Sequence, residues 1–268
     1  MSRVAPKVNI LTYTKASAPE RFSALLPILS DPSTWNAFQG FDRPVQLIQN
    51  YQYLQSGSIV DLFKRIRIQN LARRFIKTND YFFQKDIEDT ELWLRQNASR
   101  LEDYLSTLPN LTFIPWHTHR IDIAVHAINY AFAHNETIVL GIRPPDIQED
   151  EFRTYLLLHE FAHINLNNFI SQIESSTVFN EAAGEILAMY YAHTLLTEST
   201  SVALEQWSKH NLTPKDFTVL SKGMILCENQ TDIKTLFTHP SIREIVERYK
   251  PHNIKFSLRG ICFAREFW

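Results

Sequence analysis

LLLHEFAHINL, residues 156–166, sets two histidines and a glutamate into an otherwise apolar run. The fold turns on whether that run is a helix or a strand. Phe152, Tyr155, Leu156, His159, Ala162, His163 and Leu166 recur at helical spacing and form one broad stripe. In such a helix His159 and His163 lie one turn apart on the same side. Polar groups placed amid leucine and phenylalanine cost desolvation unless something satisfies them. A metal ion is one such partner.

Outward from the motif, the flanking sequence predicts where this helix begins and what it meets. Asp146, with Glu149 three residues later, makes a capping-box-like pair after Pro144-Pro145, and the helix runs to about residue 168. ISQIESS reads as a connecting loop, and VFNEAAGEILAMYYAHTLLT, 178–197, as a second helix. Upstream, VNILTYT (8–14), LTFIPW (111–116), RIDIAVHAINYAF (120–132) and ETIVLGI (136–142) are β-branched and aromatic, so they predict short strands. Residues 56–108 carry a helical pattern, and the C-terminal part is mostly helical with Pro214, Pro240 and Pro251 as interruptions. His117 and His119 read as surface or core histidines, not as a second metal site.

The spacing has a chemical reason. A catalytic zinc takes three protein ligands and leaves a position for water. His159 and His163 supply two ligands, and Glu160 projects beside them as the base that removes the water's proton. The pattern HExxHxxGxxH would need glycine at 166 and histidine at 169, where the chain has Leu166 and Phe169, so that arrangement is excluded. The next candidates for a third ligand are Asn180, Glu181 and Glu185, the two glutamates one turn apart, with Glu174 as a competitor in the loop. The small residues Ala182, Ala183 and Gly184 let the second helix approach the first.

His159-Glu160-Phe161-Ala162-His163 followed by Asn180-Glu181-Ala182-Ala183-Gly184-Glu185 resembles the gluzincin metallopeptidases, whose thermolysin and neprilysin branches carry HExxH and then NExxxD or ExxxD. That resemblance implies His159, His163 and Glu181 as ligands of one zinc per chain, and Glu160 as general base. It gives Glu185 the place of the aspartate that orients a ligand histidine. INYAFAHNETIVLGI, 128–142, loosely resembles the neprilysin segment that binds the substrate backbone, which implies contacts from Asn129 and Ala131. HEFAHINL with EAAGEILAMYYAHTLL is also similar to the ImmA/IrrE metallopeptidases. The implied fold is an α+β, zincin-like core: a small sheet with its edge strand near 136–142, packed on the HExxH helix and flanked by mostly helical segments. The sequence divides into a mostly helical region 1–110, a catalytic core 111–200 and a helical region 201–268, within one compact unit.

The implied activity is zinc-dependent hydrolysis of peptide bonds in a peptide or protein substrate. An endopeptidase is expected, because no N-terminus-binding motif such as GAMEN is present. Tyr190, Tyr191, His193, His239 and His252 are candidates for an oxyanion donor. A net charge of −2 gives no global signal for nucleic acid or anionic membrane. Lys64 to Lys77 is locally basic, and it leaves open a zinc-holding regulatory module that binds DNA or a protein partner. A bacterial toxin or effector with the same chemistry is a further alternative. Two cysteines, no apolar signal core and no run of bilayer length predict a cytoplasmic protein without a membrane span.

Overall fold

The sheet begins where β-branched residues meet a buried environment. A computed structural model of the chain describes residues 5–12, 76–129, 131–142, 149–196 and 211–249, with positions 21, 24, 25, 70, 73, 205 and 207–209. Four strands pair in the order β1-β2-β4-β3: β1 Lys7–Leu11, β2 Arg120–His126, β3 Phe132–His134 and β4 Thr137–Gly141. β1 and β4 lie parallel to β2 on either side of it, in the registers Lys7↔Arg120 and Asp122↔Thr137. β3 turns back antiparallel on β4, Phe132↔Val139, through Asn135 at φ 53°. Asparagine tolerates that left-handed conformation better than other side chains. As inner strands, β2 and β4 are buried along most of their length and read as nearly continuous apolar runs.

Three strand expectations change. The segment 136–142 is not the edge: β4 is an inner strand, and β3 takes the edge because the tight Asn135 turn folds it outside β4. The expected strand 111–116 does not form. Leu101, Leu105, Leu108 and Thr112 continue one buried helical face, so the helix α2, Ala98–Thr112, absorbs its start and Phe113 at φ 56° ends it. The expected strand 120–132 breaks after His126, whose carbonyl accepts from both Ile128 N (2.8 Å) and Ile142 N (3.1 Å).

α1, Gln84–Gln96, and α2 pack on β1 and β2. α3, Asp150–Ile170, carries the HExxH motif and lies against β3, α2 and α4, Thr177–Leu195. The anticipated cap at Asp146 lies outside the described residues; Glu149 is the N-cap, with no side-chain cap bond. Ser176 caps α4 through the N–H of Phe179. Pro214 and Pro240 open helices instead of breaking them, because the first turn has no use for the missing N–H. They begin α5, Pro214–Ile225, and α7, Pro240–Tyr249, with α6, Gln230–Leu236, between. One cluster of buried apolar residues runs from Leu11 through α3 and α4 to Val246. No helix among the described residues is long and apolar enough to cross a membrane.

A buried ionic network ties the end of β2 to its surroundings. Asp80 ends a π-helical turn, Ile76–Asp80, and its carboxylate meets His126 Nδ1 at 2.6 Å and the Ala127 N–H at 2.9 Å. Arg21 lies 3.5 Å from Asp80 and donates to Glu91 at 2.8 Å and to the Leu11 and Val125 carbonyls. All four side chains are at most 2 % exposed. The network fixes where β2 stops, and with it the bend that leads to β3.

Candidate metal centre

Helical periodicity turns His159 and His163 to one side of α3, and the packing of α4 brings a carboxylate to them. The two Nε2 atoms are 3.0 Å apart. Glu185 reaches both: Oε1 lies 3.3 Å from His159 Nε2, and Oε2 lies 3.1 Å from His163 Nε2. Among the described residues these three are the group able to hold a metal ion, with ligand atoms all within 4.8 Å of one another. Zinc bound to nitrogen or oxygen at about 2.0–2.1 Å in tetrahedral geometry holds its ligand atoms about 3.3 Å apart. The observed spacings fit such an ion with little rearrangement. His159 Nδ1 is buried without a hydrogen-bond partner among the described residues, so the Nε2 face carries that ring's interactions.

The close approach of α4 has a local cause. Gly184 sits against Ile170 so tightly that a Cβ there would lie 2.4 Å from Ile170 Cδ1. The glycine next to Glu185 therefore sets how near that helix comes. Asn180 is used structurally: its side-chain amide closes the 171–176 loop on the Glu174 backbone, accepting from N at 2.8 Å and donating to O at 2.5 Å. Glu174 itself is held by Arg243 at 3.0 Å and is not part of the histidine cluster.

The third position differs from the sequence reading. Glu181 was expected to complete the histidine pair and Glu185 to orient a histidine; the geometry brings Glu185 to both imidazoles and leaves Glu181 outside the cluster. Both glutamates lie on one face of α4, about 40° apart, so periodicity alone cannot rank them. Packing ranks them: Glu185 is 1 % exposed, whereas Glu181 is half-buried.

Glu160 lies beside the pair and is itself buried. Burial raises its pKa, the two histidines oppose that shift, Glu185 adds to it, and the backbone N–H of Ala133 donates to the carboxylate and lowers it. That last contact joins the motif helix to the edge strand β3. Alternate residues of an edge strand turn their backbone groups away from the partner strand, leaving them available to such a neighbour. Asn129 is half-buried in the bend after β2, and Ala131 precedes β3, two residues before Ala133. Sequence patterning held no signal for the Ala133 contact, because a backbone donor carries no residue identity.

Three of the expected oxyanion donors pack among aromatic rings. Tyr190 and His193 stack on Phe217 of α5, with ring centroids 5.5 and 3.9 Å apart, and Tyr191 packs edge-on against Tyr190. Relative to Glu185 they are rotated about 140°, 80° and 120° around α4. Burial raises the pKa of both tyrosines and lowers that of His193. His117, His119 and His239 are exposed and outside the cluster, and His252 lies outside the described residues. An aromatic neighbour the sequence did not single out is Tyr155, buried one turn before His159, with ring centroids 6.2 Å apart. In the basic segment 64–77, Arg73 and Lys77 are exposed and most other positions lie outside the described residues.

Comparison of the chain with protein-family models, curated proteins and solved structures finds no match. What the site is must therefore be argued from its own geometry.

Proposed function

We propose that this protein is a zinc-dependent metallopeptidase in which His159, His163 and Glu185 hold the metal and Glu160 acts as general base. The observation that carries the reading is the convergence of two Nε2 atoms and one carboxylate at 3.0–3.3 Å, with a second buried carboxylate on the adjacent residue. The mixed sheet, with antiparallel β3 against the motif helix, supports a zincin-like arrangement of that core. Zinc in such a site supplies Lewis-acid polarisation of a carbonyl and lowers the pKa of water.

The chain's own residues divide the remaining work. Glu185 fixes the two imidazoles at a common point. Glu160, which accepts from the Ala133 N–H, takes a proton from water and returns it to the leaving amine. β3 offers a peptide an extended backbone to lie along, close to Ala131 and Ala133. The test is peptide hydrolysis by the zinc-loaded protein and its Glu160→Gln variant. The variant keeps one zinc per chain and loses about 10²- to 10⁴-fold in turnover. Near-normal cleavage by Glu160→Gln, or no stoichiometric zinc in the parent, overturns the proposal.

A further inference from the structure

Glu181 is left over once Glu185 is assigned to the histidines. It sits one turn along α4 on the same face, half-buried, with Oε2 enclosed and without a hydrogen-bond partner among the described residues. Among the described residues no ion pair reaches it, and Arg243, which lies over the Phe179 ring at the start of α4, is engaged by Glu174 and Glu247. Burial alone pushes its carboxyl up to about 7, with no neighbouring charge to offset the cost. A half-buried carboxylate on a rigid helix, beside a candidate metal centre, is a cost to the folded protein that a cationic ligand would offset.

Resting on the metallopeptidase reading, we infer that Glu181 selects the substrate, as the carboxylate that receives the protonated α-amine of an unblocked peptide. Distance favours the α-amine over a lysine side chain. Glu181 and Glu185, four residues apart, are separated by about 6 Å along the axis. An α-nitrogen lies about 2.5 Å from its own carbonyl carbon, and an ammonium–carboxylate hydrogen bond adds about 2.8 Å. Together these come within about 1 Å of that separation, so an amine held by Glu181 leaves the first peptide carbonyl near the ligand cluster. A lysine ammonium, on its four-carbon stem, overshoots. The protein would then act at free N-termini, although the sequence lacks the GAMEN motif that led to the expectation of an endopeptidase.

The test uses the full chain loaded with zinc and one tetrapeptide amide in two forms, with a free or an acetylated N-terminus. Cleavage of the free form should exceed that of the acetylated form by about tenfold or more, the worth of a charge-assisted hydrogen bond, and Glu181→Gln should bring the ratio near unity. Calorimetry of both peptides on zinc-loaded Glu160→Gln, and on that variant with Glu181→Gln added, reads the same preference without turnover. Equal cleavage of the two forms by the parent protein overturns the inference and leaves the peptidase reading standing. Preferential binding of the free amine without cleavage keeps the role of Glu181 and overturns the peptidase reading. No binding and no cleavage of either form overturns both. A thermal midpoint that falls in Glu181→Gln, with the amine preference intact, shows instead that Glu181 serves an internal partner.

Discussion

Among the described residues, the buried polar groups around His126 and around His159 are built differently, and the difference shows two ways a fold can carry buried charge. Around His126 the chain supplies its own counter-charge: Arg21 meets Asp80 and Glu91, and Asp80 fixes the tautomer of His126. Around His159 it presents two imidazole nitrogens 3.0 Å apart and the Glu185 carboxylate. That geometry is met by a shared proton or by a metal ion, and the donor set is one zinc prefers. The first cluster is closed by a guanidinium from the chain itself; the second is a group that could hold a metal ion.

The sharpest way to break this contrast is to remove the internal cation. Arg21→Leu removes the buried cation shared by Asp80 and Glu91, leaving them only His126 and the more distant Arg95, and should cost about 3–5 kcal/mol in denaturant unfolding. Zinc affinity in the still-folded fraction should be unaffected. A fall in affinity would show that the two clusters are one unit.

Next in size is the ranking of ligands. Glu185→Ala and His163→Ala should each weaken zinc binding by more than about 100-fold, beyond the usual loss when only a supporting group is removed. Glu181→Ala should cost far less. Competition titration against a chromophoric chelator gives the order, and a worse loss in Glu181→Ala than in Glu185→Ala would restore the ligand assignment implied by the family resemblance.

Acid should separate the clusters as well. Burial lowers the pKa of His126 in the folded protein against opposing contributions from Asp80, with Arg21 and Glu91 the other charged groups of the network. The unfolded chain therefore binds a proton more readily near its ordinary pKa of about 6.5. The His126 contribution is complete above that value and is lost as pH falls through the lower folded pKa. Thermal midpoints measured from pH 8 to pH 5 should decline, and His126→Gln should flatten part of that decline. An unchanged slope in the variant would assign the acid sensitivity to other groups.

The smallest effect probes helix approach. Gly184→Ala must displace the end of Ile170, and such overpacking costs about 1–3 kcal/mol; the flexible Cδ1 terminus places it at the low end. Because the neighbouring residue is Glu185, zinc affinity should fall too. Stability loss without any change in zinc binding would mean that α4 holds Glu185 in place independently of this contact.

Much of this was written locally in the chain. The period of 3.6 residues placed His159 and His163 on one side of a helix, the missing Gly and His at 166 and 169 removed one ligand pattern, and ISQIESS marked the turn into α4. Those are properties of single segments, legible because helix phase depends only on residues a few positions apart. The edge position of β3, the break after His126 and the failure of 111–116 to form a strand depended on partners remote in sequence: β4, Asp80 and the buried face of α2. The choice between Glu181 and Glu185 was decided only in three dimensions. Both are glutamates on one face of one helix, and which of them meets the histidines depends on how α4 slides and closes against α3. That offset is set by the Gly184–Ile170 contact and the buried core, and a sequence period repeats identically for either offset.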